Sequence, residues 1–365
     1  MGFSGRRTAC CPRGAVGKNW LMTHEQGGEQ APAPVVAGAA FGDSNDLLRS
    51  IQRPGDSGAP ESVVTVLVAF TINILIAVAK SIAAAVTGSA SMLAEAAHSW
   101  ADAGNEVFLL IANRRSRRPR DLAHPFGYGR EAYVWSLFAA LGLFVAGAVL
   151  SVIQGIQELL RPEPAGHFII GYGVLAVSFV FEGISFWQSV RQARAEAQAM
   201  RRDLLQHVLA TSDPTLRAVF AEDSAALIGV IIAAAGLGVH QLTGSPVPDA
   251  AGSILIGLLL AAVAVILINR NRQFLLGEEA DPRVRAAAIE ALLDAPEVAR
   301  VTYLRLEVAG PRMLSVVAAV DLTGDDIESH LAVRLRELES KISASPAVAG
   351  TVLTLSAPGD PTITA

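Results

Sequence analysis

Between residues 63 and 269 the chain passes through six stretches that are each mostly apolar over about 20 residues or more. Few folds are open to such a sequence. About 20 apolar residues in a helix cross the hydrocarbon core of a bilayer. Lipid offers no water to backbone polar groups, so helices and closed barrels are the spanning forms available. The stretches cover residues 63–86, 89–112, 132–160, 168–190, 216–240 and 250–269. The first is broken only by Asn73 and Lys80. The second contains SMLAEAAHSWADAGNE, Ser91 to Glu106, which is polar enough for a scan of hydropathy to pass over. Composition agrees with a membrane protein carrying a polar portion: 17% of residues are charged, against about 25% in soluble domains.

Loop charges orient the spans. The second and fourth loops read NRRSRRPRD and RQARAEAQAMRRD, whereas TGS, RPEPAG and TGSPVPD hold one arginine between them. Basic loops stay on the cytoplasmic side, so six spans place both termini there, and the basic NRNRQ after the last span agrees. A cell inner membrane is the expected location. Residues 1–61 are rich in Gly, Pro, Ala and polar residues and are expected to form a disordered tail, with Met22 an alternative start. The cysteines, Cys10 and Cys11, are adjacent, which excludes a disulfide framework. The net charge of −5 gives no sign of nucleic-acid binding.

Residues 274–365 change character. VRAAAIEALLDA has helical spacing, VTYLRLEVAG and LSVVAAVDL alternate as strands, IESHLAVRLRELESKISA is an amphipathic helix, and VAGTVLTLSA is a last strand. The expected architecture is therefore an all-α membrane domain of six transmembrane helices over 62–273. A small α+β cytoplasmic domain follows, ferredoxin-like in its αββαβ order.

The polar residues of the second span are ordered. At 100° per residue, Ser91, Glu95, His98, Asp102 and Glu106 fall within about 80° of arc. Such a stripe must face the bundle interior or a watery cavity, because charge in hydrocarbon is costly. His98 and Asp102 are four apart and meet on one face, half of a tetrahedral Zn²⁺ site. In the fifth span Glu222 and Asp223 are neighbours, diverging by about 100°. One can ligate while the other bridges, pairs or carries a proton. Asn73, Glu95 and Glu182 are further intramembrane groups, expected to orient the ligands or relay protons. Asn73 has an equal alternative as an interhelical hydrogen-bond group, and Glu182 as a structural one. Glu95 and Glu106 lie near the ends of the span, where they can simply be solvated. His207 falls in the loop before the fifth span. In the loop DLAHPFGYGRE, Asp121 and His124 are three apart and could hold a metal weakly. A glycine-containing turn accounts for the residues better, since Tyr128 is a poor zinc ligand.

These features in this order resemble the cation diffusion facilitator family of divalent-metal/proton antiporters: six spans, HxxxD in SMLAEAAHSWAD, the HPFGYGRE loop, the LLGEEAD junction and the αββαβ tail. The resemblance covers most of the chain after Glu61. It implies a transport site made by the second and fifth spans, hence His98, Asp102 and Asp223. The family's fifth-span histidine falls at Val219, so Glu222 is the candidate replacement. DPTLRAVFAEDSAALIGV is similar to the branch that includes mitochondrial-type zinc transporters. The family's loop site has Tyr128 where a second histidine would stand. Its multi-histidine zinc site in the soluble domain has only His330 here, so dimerisation is the expected role of that domain.

The function so implied is efflux of a divalent cation, foremost Zn²⁺, driven by proton antiport. The family's alternatives are export of Mn²⁺, Fe²⁺ or Co²⁺, and a non-transporting regulatory homologue. The implied partners are divalent cations, protons, the lipid bilayer and a second copy of the chain, joined through the membrane and C-terminal domains. No prosthetic group and no enzymatic activity are expected; an intramembrane metalloenzyme would normally carry HExxH or a comparable general-base motif, and none is present.

Overall fold

The computed structural model describes residues 63–161, 166–324 and 327–364. The expected N-terminal tail, with Cys10, Cys11 and Met22, lies outside the described residues.

The membrane domain is built from α1 (Val63–Thr87), α2 (Ala90–Ser116), α3 (Glu131–Leu160), α4 (Phe168–Ala199), α6 (Pro214–Thr243) and α7 (Val247–Leu276), with a short α5 (Leu204–Ala210) between α4 and α6. α1 and α3 match their predicted spans to within one residue, whereas α2, α4 and α7 run on past theirs. The extra turns are polar and basic, as in RQARAEAQA at the end of α4. Apolarity marks only the lipid-buried part of a helix, while hydrogen bonding continues beyond it. Local chemistry sets several ends. Ser89 caps α2 by accepting from the Met92 amide at 3.2 Å. Asp213 accepts from the Thr215 and Leu216 amides, and Pro214 opens α6, where its missing N–H costs nothing. A π-helical segment, Leu143–Val149, interrupts α3.

Five of the described helices are long and apolar enough to cross a membrane: Phe70–Thr87 of α1, and α3, α4, α6 and α7. The remaining helix, α2, has 27 residues, about 40 Å of length, but its polar stripe keeps it out of that set. Its place explains the stripe. It packs against α1, α3, α6 and α7 and buries Glu95, His98 and Asn105 along with its alanines. Small residues such as Ala83, Ala94, Ala225, Ala233 and Ala264 fill the interior of the bundle, while Leu75, Ile82, Ile153, Phe179 and Leu258 face outward. Packing of small residues lets membrane helices approach closely.

The C-terminal domain contains α8 (Pro282–Leu293), β1 (Val298–Gly310), β2 (Met313–Leu322), α9 (Glu328–Ser343) and β3 (Val348–Leu355). The sheet order is β1-β2-β3. β1 and β2 are antiparallel, β2 and β3 parallel, and α9 makes the crossover that a parallel pair requires. Ile289, Val301, Leu306, Val320, Leu338 and Leu353 form its core. The loop before α3 docks on β1. A Cβ on Gly129 would lie 2.6 Å from the Ala309 carbonyl oxygen, so the two backbones meet only because the residue is glycine. Arg130 then pairs with Glu307, and the Tyr133 hydroxyl donates to the Ser212 carbonyl at 2.9 Å.

Candidate functional site

The two adjacent carboxylates of α6 and the inner half of the α2 stripe, Asp102 and Glu106, border one cavity of about 300 Å³. Its walls carry five carboxylates, Asp102, Glu106, Glu182, Glu222 and Asp223, together with Asn73 and Val219. All lie at the middles of their helices or nearer the end that carries the C-terminal domain. Each carboxylate of α6 has its own partner. Asn105 donates to Glu222, and the Ser185 hydroxyl donates to Asp223 at 3.0 Å. The divergence of neighbouring helical positions is thus absorbed by two different anchors, and both side chains still reach the cavity. Asn73 donates to Glu106.

His98 stands behind this wall, fully buried, with Nδ1 3.4 Å from Asp102 Oδ1. Neither ring nitrogen has a hydrogen-bond partner, and Asp102 Oδ1, Asn105 Oδ1 and Glu106 Oε2 are likewise buried without one. One face of α2 therefore presents a row of unpartnered polar atoms: carboxylate and amide oxygens, and an imidazole with one lone pair and one N–H. Each buried unsatisfied group typically costs about 1–3 kcal/mol, and native proteins leave few of them. Acceptors without donors, next to a cavity walled by carboxylates, suit a cation. Among the described residues no three His, Cys, Asp or Glu side chains are already drawn together as a cage. The donors of α2 and α6 stand around a cavity instead.

Other expected residues find different places. Glu182 lines the cavity, whereas Glu95 lies behind it, 3.1 Å from the Lys80 ammonium. Lys80 also lies 3.4 Å from Glu182. Val219, where the family histidine is missing, does line the cavity. His207 belongs to α5 rather than to a loop. It is buried, with Nε2 3.3 Å from Glu196 Oε2, because its short helix packs against α4.

The loop pair is exposed and already engaged. Asp121 accepts from the Ala123 and His124 amides at 3.0 and 2.8 Å and from the Tyr128 hydroxyl at 2.7 Å. The Tyr128 hydrogen bond, chiefly, holds the Asp121 carboxyl below the usual carboxylate range. The His124 ring packs against Tyr128 at 4.1 Å. His330, on α9, is exposed.

Two residues of the site were missed by reading the sequence for ligands. Asn105 sits at the edge of the α2 stripe, about 80° from Glu95, and that angle was the signal for it. Lys80 is the one charged residue of α1, and a charge in an otherwise apolar span is itself a functional signal.

Membrane-length helices around a cavity walled by carboxylates make a membrane protein whose cavity suits a cation. The chain belongs to the cation efflux family: the model of the cation efflux transmembrane domain matches residues 66–276. The mitochondrial proton-coupled zinc antiporter SLC30A9 of Mus musculus is 36% identical over 259 residues, 71% of this chain and 46% of that protein. Metal tolerance protein C4 of Arabidopsis thaliana is 34% identical over 233 residues, 64% of this chain and 51% of that protein. The cation-efflux pump FieF of Escherichia coli O139:H28 is 27% identical over 252 residues, 67% of this chain and 76% of that protein. The chain thus spans about half the length of the animal and plant relatives.

Proposed function

We propose that this protein exports a divalent cation, foremost Zn²⁺, in exchange for protons, and that Asp102, Asp223, Glu222 and His98 carry the ion. The observation that carries the reading is a cavity walled by five carboxylates, two of which, Asp102 and Glu106, keep a buried oxygen without a partner, with the unpartnered His98 ring directly behind. Asp102 and Asp223 are the primary ligands, since both line the cavity from opposite helices. His98, whose ring nitrogens are unpartnered, joins when its ring turns toward the ion beside Asp102. Glu222, held by Asn105, takes the place of the histidine absent at Val219. Glu182 and Asn73 orient the wall.

Metal binding needs ionised carboxylates and a neutral imidazole. Protons arriving from the other side compete for the same lone pairs and release the ion. Relative motion of α2 and α6 against their neighbours would expose the cavity to either side in turn. In this reading α2 also crosses the membrane and brings the spans to six, both termini are cytoplasmic, and the C-terminal domain is ferredoxin-like and pairs two copies of the chain. The membrane is an energised one. The animal relatives carry a mitochondrial name, and a bacterial inner membrane supplies the same proton gradient. The loop pair Asp121 and His124 serves the turn.

The wall offers oxygen ligands more than nitrogen, which also suits Mn²⁺ or Fe²⁺. The test is metal flux into proteoliposomes with a pH-sensitive dye, run with Zn²⁺, Mn²⁺, Fe²⁺ and Co²⁺. Zn²⁺ flux coupled to proton movement, and lost in Asp223→Ala, is expected. Coupled flux that survives Asp223→Ala sinks the site assignment.

A further inference from the structure

Beyond the cavity, in the half of the bundle away from the C-terminal domain, lies a second charged group that the proposed ligand set does not use. The Lys80 ammonium of α1 lies 3.1 Å from Glu95 Oε2 of α2 and 3.4 Å from Glu182 Oε1 of α4. Lys80 and Glu95 are wholly enclosed, while Glu182 is partly open to the cavity. Along α2, Glu95 lies about 10 Å from Asp102 toward the far end. Further out, Ser89 and Ser91 both donate to Asp249 of α7, tying the far ends of α2 and α7 together. Lys80 and Glu95 therefore stand on the far side of the cavity, joined to its wall by Glu182.

The group is not built as a structural clamp. A buried ion pair is weak evidence of stability, and a network helps only when every member is satisfied. Glu95 uses one oxygen. Its Oε1 is buried and has no hydrogen-bond partner. That oxygen lies against the backbone of α6 at Gly229, where an added Cβ would sit 2.2 Å from it. Any other residue at 229 would push the Glu95 carboxylate aside. Glu182 is shared: the same side chain belongs to the cavity wall and to Lys80.

Resting on the proposed function, we infer that Lys80 is the tethered cation of a far-side gate. Held between Glu95 and Glu182, its ammonium closes the cavity to a divalent ion by charge and by bulk, and the ion leaves on the far side only when Lys80 releases Glu182. When an ion occupies the cavity, Glu182 has a competing cation on its cavity side. Loading thereby weakens the contact that holds the gate shut, which ties opening to occupancy. Lys80 is a positioning residue in this scheme and touches no metal.

The experiment removes the charges together, because Lys80→Met alone leaves Glu95 buried without its cation and can fail to fold. Lys80→Met/Glu95→Gln keeps the volumes. It is compared with Lys80→Arg and the parent chain in proteoliposomes, with Zn²⁺ as the probe and a pH-sensitive dye inside. A Ser99→Cys reporter in the cavity wall, in a Cys10→Ser/Cys11→Ser background, is labelled from either side with a membrane-impermeant thiol reagent. Expected are Zn²⁺ leak without proton movement in the double variant, retained coupling in Lys80→Arg, and reporter labelling from the far side faster by about tenfold or more. Coupled flux and unchanged far-side labelling in a folded double variant overturn the gate. If the parent chain moves no metal, the transport reading falls, and the labelling arm alone decides whether Lys80 closes the cavity.

Discussion

Two Asp/His pairs set three or four apart in sequence bring their side chains together. Four residues separate His98 from Asp102, three separate Asp121 from His124, and both pairs lie close, at 3.4 and 3.3 Å. Their surroundings are opposite. At the loop pair every anchor is spent: two amides and the Tyr128 hydroxyl donate to Asp121, and water reaches the rest. At the helix pair the imidazole is sealed from solvent with both nitrogens free, and Asp102 has an idle oxygen. The difference teaches that spacing alone does not make a cation site. What sets the helix pair apart is a shortage of donors at buried atoms.

That contrast can be broken experimentally, and the largest effect is expected inside the bundle. Asp102→Asn and Asp223→Ala should each abolish coupled flux, a loss beyond the 10–100-fold typical of losing an outer partner of a metal ligand. Asp121→Asn in the loop should change flux by less than about twofold if its role is confined to the turn. Equal losses at both places would erase the distinction.

Next in size is the gate. Lys80→Met alone leaves Glu95 uncompensated in the interior, with a cost of about 3–5 kcal/mol, read as a lower unfolding temperature in detergent. Adding Glu95→Gln should recover most of it. Asn105→Ala, which frees Glu222 from its anchor, should weaken Zn²⁺ binding by about tenfold in calorimetric titration, with the fold intact. The smallest effect concerns the loop itself. Tyr128→Phe removes the hydrogen bond that chiefly holds the Asp121 carboxyl low. Its titration should then move up toward the ordinary carboxylate value of about 3.9, observed by NMR on a labelled chain. Metal binding in the cavity should also be sensitive to acid. It weakens as pH falls, because protons and metal compete for the same lone pairs.

Much of this was legible before any fold was known. The spans at 63–86, 168–190 and 250–269 show in apolar runs, since lipid selects on composition over 20 residues. The α2 stripe shows in 100° arithmetic, since a helix turns the same way in any protein. The order of elements after residue 281 follows from alternation and amphipathic spacing. Harder to read were the ends of the helices, where polar turns continue past the bilayer, and His207, which looks like loop because α5 is only a short helix.

The sequence by itself determined which side chains could serve a cation: a histidine and carboxylates set at helical spacing in segments that have no reason to carry charge. Tertiary structure alone decided how those groups are divided. It put Asp102 and Asp223 on one cavity, tied Glu222 to Asn105, and left His98 bare behind them. It also turned Glu95 away to Lys80, across two helices. The reason is physical. Helical periodicity places residues around one axis, whereas which lone pairs remain unsatisfied depends on the donors that neighbouring helices bring within about 3 Å, and no single segment of sequence contains them.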